Sequence, residues 1–324
     1  MAERQGNQDA TRAVGTTVTV HAPAKLNLAL HLGASRADGL HEIRSLFVPL
    51  LLADRLTVTY NAEGDDQVVC PGIDGPNLAT AALAKLREAG WNAPPVTIEI
   101  EKRIPVAAGL GGGSADAGAV LSLAIGDLDP DRLHQIAITL GADVPSQITP
   151  RALLVGGAGE TFVPLPAPAP LGVVLLASDR GLTAAEVYAE ADRLGLGSPA
   201  GSLEPVTAAG RMRDTYGYGN DPSRIAATVG NDLGIAARSL RPELADAMAI
   251  LTDAGALAAE VTGSGPTVFG LFPDLDAARR AADRITEEAT ADDPFDRVIA
   301  TGLAPGRPAT DIAADNGTAP GDTR

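Results

Sequence analysis

Four glycines stand within five positions of the segment PVAAGLGGGSADAG, residues 105–118, between a stretch of strand character and an alanine-rich helical stretch. Glycine reaches positive φ and lets backbone approach a ligand closely, while a helix start presents N–H groups without intrahelical acceptors and a partial positive charge. Together these make an anion site suited to a di- or triphosphate. The same residues are also compatible with a plain flexible glycine turn. Ser114 stands where a serine caps the helix or reaches a phosphate or its metal. The pattern G-x-x-x-x-G-K-[ST] fails for want of the lysine and following hydroxyl. Glu99, Glu101, Lys102 and Arg103 just upstream argue against the buried parallel strand of a dinucleotide-binding fingerprint.

The elements that must hold this loop follow from periodicity. TVTVHAPAKLNLALHL alternates with period two, which puts Leu26, Leu28, Leu30 and Leu32 on one face and Lys25, Asn27, Ala29 and His31 on the other. DRLTVTY and PPVTIEIEKRI are further strands, and NLATAALAKLREAG is a helix stopped at Gly90. SADAGAVLSLAIGDL and DPDRLHQIAITLG are helices, the second with Asp129 as N-cap, Pro130 in the first turn and Gly141 as stop. RALLVGGAGETFVPLP reads as a hairpin and LGVVLLAS as an apolar strand after a PAPAP joint. Helices are expected at about 183–194, 224–239, 241–254 and 276–289, with AEVTGSGPTVFGLF as strand, glycine turn and strand. Strands and helices without regular βαβ alternation predict an α+β fold. Two domains are expected, 15–167 and 168–304, between disordered tails at 1–14 and 305–324 that are polar or rich in Pro, Gly, Asp and Thr.

Composition narrows the function classes. Of 324 residues, 45% are hydrophobic and 20% charged, with a net charge of −16. Such an acidic chain lacks the basic field that drives nucleic-acid binding, and any anionic ligand must be held by local donors. The single cysteine, Cys70, excludes an internal disulfide and a cysteine-built zinc framework, and points to a reducing cytoplasm. No apolar run approaches the ~18 residues of a membrane span, so no membrane partner is expected.

APAKLNLAL, PVAAGLGGGSADAG and VTGSGPTVFGLF, in that order and spacing, resemble the three signature motifs of the GHMP kinase superfamily. RADGLHEIRSLF, LADRLTV, GPNLATAALAKL, LGADVPS and GNDL extend the likeness over nearly the whole globular part, toward the branch acting on a cytidine diphosphate-linked methylerythritol. The resemblance implies a two-domain α+β fold with its site in the interdomain cleft. It implies a cytosolic enzyme, monomer or homodimer, that uses ATP and Mg²⁺ to phosphorylate the 2-hydroxyl of that substrate in non-mevalonate isoprenoid synthesis. Carried over residue by residue, it makes Lys25 and Asp143 catalytic. It makes Pro105, Val106, Ala107, Ala108, Gly109, Leu110, Gly111, Gly112, Gly113, Ser114 and Ala115 the ATP-phosphate loop, and Asn27 and His41 substrate contacts. An ammonium at Lys25 can neutralise developing charge, and the turn before Val144 and Pro145 can hold the Asp143 carboxylate near a hydroxyl. Taken alone, these residues read as a solvated strand lysine, a turn-forming aspartate and a surface histidine. Asp232 reads as a helix cap or domain-packing group, and Gly263, Ser264 and Gly265 as a tight turn that either faces the cleft or is purely structural.

Three departures bear on the substrate. Leu40 stands where many members of the branch have a tyrosine that stacks on the cytosine, and Ser146 and Gln147 stand where aromatic or apolar residues are usual. The stretch near 176–183 lacks an aromatic for the other face of the base. A sister kinase for homoserine, a sugar or mevalonate, and a catalytically silent nucleotide-binding regulator, are the rival readings. The loop 197–224, with Arg211, Arg213, Tyr216 and Tyr218, is either a lid over an anionic substrate or a surface insertion.

Overall fold

The computed structural model describes residues 12–73, 77–199 and 221–306. Arg211, Arg213, Tyr216 and Tyr218 lie outside the described residues, as does most of each expected tail. Long alternating runs give β1 (Thr17–Ser35) and β2 (His41–Tyr60), an antiparallel pair that forms the backbone of the first sheet. Strands β3 (Gln67–Val69) and β4 (Val96–Glu101) extend it beyond β2, and the hairpin of β5 (Leu153–Gly156) and β6 (Thr161–Pro164) pairs with the first half of β2. Its helices are α1 (Leu78–Glu88), α2 (Gly112–Ser122), α3 (Pro130–Leu140) and the single turn α4 (Val144–Gln147). Asn77 caps α1 and Asp129 caps α3, followed by Pro130 as expected.

The second sheet is antiparallel in the order β11 (Arg297–Gly302), β7 (Gly172–Ala177), β10 (Val268–Phe272), β9 (Ala258–Val261). With it go α5 (Ala184–Leu194), α6 (Pro222–Ala226), α7 (Asp232–Leu240), α8 (Glu243–Asp253) and α9 (Leu275–Glu288). Every residue of β7 is buried, as a strand covered on both faces must be. Val173 and Leu175 join the core beneath the first sheet, and Val174 and Leu176 join the core around α5 and α9. The architecture is α+β, as the absence of regular βαβ alternation implied.

Three local expectations change. In β1 the register slips between Asn27 and Ala29 and leaves Leu28 without a partner on β2, a bulge. Antiparallel partners share a face, so Lys25, Asn27, Leu30 and Leu32 project with Pro49, Phe47, Ser45 and Ile43. The four leucines therefore do not form one row: Leu26 and Leu28 enter one core, Leu30 and Leu32 the other. The helix expected at 224–239 is broken by β8 (Gly230–Asn231), which pairs in parallel with Ala29 and Leu30 before Asn231 caps α7. Arg12, inside the expected N-terminal tail, instead binds the Asp127 carboxylate and the Leu123 carbonyl.

Candidate active site

The phosphate loop owes its shape to glycines at crowded or left-handed positions. Gly109 and Gly111 have φ of 75° and 70°. A Cβ on Gly109 would lie 2.6 Å from the Gly265 carbonyl oxygen, and one on Gly111 would lie 3.0 Å from the Lys25 side chain. Ala107 also sits at φ 57°, a strained conformation for a residue with a Cβ. Helix α2 begins at Gly112, two residues before the serine, with Gly111 at the N-cap and no side-chain cap. The Ser114 hydroxyl therefore does not cap the helix, and the first-turn N–H groups lack intrahelical acceptors.

Residues 105–114 line a cavity of about 340 Å³, with Cys70, Ile73, Asn77, Leu78, Lys102 and Asp116 completing its lining. Pro105, Val106, Ala107, Ala108, Gly109, Leu110, Gly111, Gly112, Gly113 and Ser114 are thus brought together. Ala115 is not: it is buried in the core through α2.

Behind the loop lies a charge cluster that the sequence did not reveal. Asp54, wholly buried on β2, accepts the N–H groups of Arg103 at 2.6 Å and Ile104 at 2.8 Å and also bonds Lys102. Lys102 Nζ donates to Asp116 Oδ2 at 2.8 Å, while Asp116 Oδ1 is buried without a partner among the described residues. Burial, reinforced by Asp54 and opposed by Lys102, pushes the Asp116 carboxyl up to about 7. The charges at the end of β4 thus tie the loop's entry and α2 to the sheet.

On the β1 side, Lys25 is 6% exposed, not solvated. Its backbone N–H donates to Leu110 O at 3.0 Å, fastening β1 to the loop. Its Nζ donates to Asn27 Oδ1 at 2.6 Å, lies 3.5 Å from Asp143 Oδ2 and sits 4.9 Å from the centre of the Phe47 ring. Asn27 donates from Nδ2 to Ser45 Oγ at 2.8 Å and from its backbone to Thr262 Oγ1 at 3.0 Å. Lys25 and Asn27 thus face Thr262 and Gly263 in the second half of the chain. A Cβ on Gly263 would come within 3.2 Å of Asn27 Oδ1 and 3.5 Å of Lys25 Nζ, so the 262–265 turn abuts the pair.

Asp143 is held by packing of small residues. It precedes α4, and a Cβ on Gly118 of α2 would lie 2.4 Å from the Gln147 carbonyl carbon, so α4 can dock closely only on glycine. Ser146 Oγ donates to Asp143 O at 2.6 Å, and Gln147 Nε2 donates to Ser146 Oγ at 3.0 Å. The two polar departures at 146 and 147 therefore brace the turn that carries the carboxylate.

His41 opens β2. Its Nε2 lies 2.7 Å from Asp192 Oδ1, and its ring is 5.2 Å from that of Tyr188. Burial pushes the Tyr188 phenol up to about 12, and the nearby Asp143 charge adds to the effect. Tyr188 thus lies near both His41 and Asp143. It is an aromatic just past the 176–183 stretch, on α5, whose start is fixed by the Thr183–Glu186 capping box. That box, a legible sequence signal, puts Tyr188 and Asp192 four residues apart on one helix face. Asp232 is a packing group and not the cap: its carboxylate accepts the Leu32 N–H at 2.8 Å, and Asn231 caps α7.

A glycine cradle at a helix start, with an ammonium and a carboxylate 3.5 Å apart beside it, defines a phosphotransferase site. Residues 77–150 match the model of the GHMP kinases N terminal domain and residues 220–291 that of the GHMP kinases C terminal. The chain is 36% identical over 308 residues to the 4-diphosphocytidyl-2-C-methyl-D-erythritol kinase of Thermobifida fusca, an alignment covering 90% of this chain and 97% of that one. It is 40% identical over 278 residues to the enzyme of that name from Streptomyces coelicolor, covering 82% and 90%. A crystal structure of 4-(cytidine 5'-diphospho)-2C-methyl-D-erythritol kinase superposes with a TM-score of 0.71 at 34% identity, covering 88% of this chain and 98% of that one. Homoserine kinase from Cytophaga hutchinsonii shares the fold, with a TM-score of 0.65 at 20% identity and coverage of 90% and 96%. The chain belongs to the GHMP kinases, ATP-dependent small-molecule kinases, and within them to the 4-diphosphocytidyl-2-C-methyl-D-erythritol kinase family. No helix among the described residues is long and apolar enough to cross a membrane.

Proposed function

We propose that the protein transfers the γ-phosphoryl group of ATP to the 2-hydroxyl of 4-diphosphocytidyl-2-C-methyl-D-erythritol, in the cytoplasm, as a step of non-mevalonate isoprenoid synthesis. The observation that carries the mechanism is the Lys25 Nζ to Asp143 Oδ2 separation of 3.5 Å at the edge of the glycine loop. Asp143 accepts the proton as the substrate O–H bond breaks, the oxygen bonds phosphorus, and the bond to the β-phosphate oxygen breaks to release ADP. Lys25 neutralises charge developing on the transferred group, and the N–H groups of residues 109–114 hold the phosphates.

Mg²⁺ fits this donor set as a phosphate-borne ion. No cluster of three or more His, Cys, Asp or Glu side chains suited to a metal occurs among the described residues. The Ser114 hydroxyl, which does not cap the helix, would be the loop's side-chain donor to such an ion, with phosphate oxygens and water as the others. When bound, the ion supplies charge neutralisation on the phosphates.

The cytosine lies against Tyr188, with His41 offering a ring nitrogen and Leu40 an apolar surface in place of a second aromatic. Asn27 contacts the substrate near the reacting hydroxyl. All these groups come from one chain, so a monomer suffices. The test is ATP consumption with Mg²⁺ and the cytidine substrate beside homoserine, mevalonate and galactose. Turnover with the cytidine compound alone is expected. Turnover with another alcohol moves the protein to a sister activity, and silence in every well supports a regulator.

A further inference from the structure

The segment Gly230–Asp232 joins three parts of the site just where β1 leaves its bulge. Gly230 and Asn231 pair with Ala29 and Leu30, and Asp232 accepts the Leu32 N–H. Asn231, 6% exposed, donates from Nδ2 to the carbonyls of Val261 at 2.8 Å and Gly263 at 2.7 Å, while its Oδ1 accepts the Leu233 N–H at 3.0 Å. Both amide donors are thereby used on the two carbonyls that flank Thr262. Thr262 Oγ1 in turn accepts the Asn27 N–H, and Gly263 lies against Asn27 Oδ1 and Lys25 Nζ.

We propose that Asn231 is a positioning residue for phosphoryl transfer, clamping the 261–263 turn against the Asn27–Lys25 pair so that the ammonium stays beside Asp143. The proposal rests on the reading of Lys25 and Asp143 as the reacting pair. Asn231 bonds neither of them. It acts through two carbonyls, and a turn released by even about 1 Å can cost on the order of 10²-fold in rate.

Asn231→Asp separates this role from capping. Aspartate caps helices as well as asparagine does, so the Leu233 N–H keeps its acceptor, but the carbonyls of Val261 and Gly263 then face a carboxylate with no proton to donate. Hydrogen exchange on the full chain should quicken at residues 262–265 and stay unchanged in the first turn of α7. The kcat should fall about 10–100-fold with the ATP dissociation constant within about twofold, and recover in part as pH falls and the acid regains one donor. Asp232→Asn, which disturbs the same seam without touching the turn, should leave exchange at 262–265 and kcat near wild type. If the carboxylate prevents folding, Asn231→Ser keeps a capping hydroxyl with a single donor and should show the same changes in exchange and kcat without the recovery at low pH.

Unchanged exchange at 262–265, quickened exchange with unchanged kcat, or an equal loss in Asp232→Asn would each overturn the proposal. Exchange is read without substrate. A wild type inactive on the cytidine compound would therefore sink the substrate assignment, while the exchange comparison still decides whether Asn231 holds the turn.

Discussion

Lys25 and Asn27 are less than a tenth exposed and are tied to Ser45, Thr262 and the phosphate loop, whereas Leu40, beside His41, is 55% exposed. The first region is built on strands with buried hydrogen bonds and glycines that admit no Cβ. The second consists of a leucine beside a turn, a histidine at a strand start and a tyrosine on a helix. Aligning an attacking oxygen tolerates little displacement, while holding an aromatic base needs an apolar surface of about the right shape. On the proposed reading, leucine in place of tyrosine at position 40 should cost affinity for the base and leave the rate at the reacting end unchanged.

Changes at the reacting end should strike kcat, and changes at the base end should strike KM. Lys25→Met should cut turnover by about 10²–10³-fold with nucleotide binding retained, as measured by steady-state kinetics beside ATP titration calorimetry. Equal losses in both would blur the division. Gly109→Ala adds a Cβ 2.6 Å from the Gly265 carbonyl at φ 75°, and should cost about 1–3 kcal/mol of stability in denaturant titrations together with much of the turnover.

Asp116 sharpens the comparison through pH. Its folded-state value of about 7 lies above the ordinary carboxylate value, so from pH 4 to 7 the folded chain holds a proton that the unfolded chain has released. Stability should therefore fall as pH rises through that window, by on the order of 1–3 kcal/mol. Asp116→Asn should flatten the trend, and parallel profiles for the two proteins would remove Asp116 as its source. At the base end, Tyr188→Ala should raise KM for the cytidine substrate by about 2–12-fold with kcat little changed, the loss of one aromatic contact. Tyr188→Phe should be near neutral.

The glycine loop, the strand carrying Lys25 and the turn carrying Asp143 were legible in the sequence because each is a local pattern. So was the α+β class. The sidedness of β1 was not, since counting by twos cannot register the bulge at Leu28 that turns Leu30 and Leu32 onto the face of Lys25. The break at Gly230 was hidden by helix-forming residues on either side, with pairing to β1 overriding local propensity. Lys102 read as part of a charged strand end because its two partners, Asp54 and Asp116, lie 48 and 14 residues away in sequence. Tyr188 was not legible because it lies on α5, past the 176–183 stretch, and meets His41 only through tertiary contact.

The central claim is that Asp143, held 3.5 Å from Lys25, takes the proton of the acceptor hydroxyl. Single-turnover kinetics of Asp143→Asn with ATP, Mg²⁺ and 4-diphosphocytidyl-2-C-methyl-D-erythritol test it most directly. The chemical step should slow by about 10²–10⁴-fold with ATP binding intact. A chemical step at the wild-type rate would show that another group, or none, serves as the base.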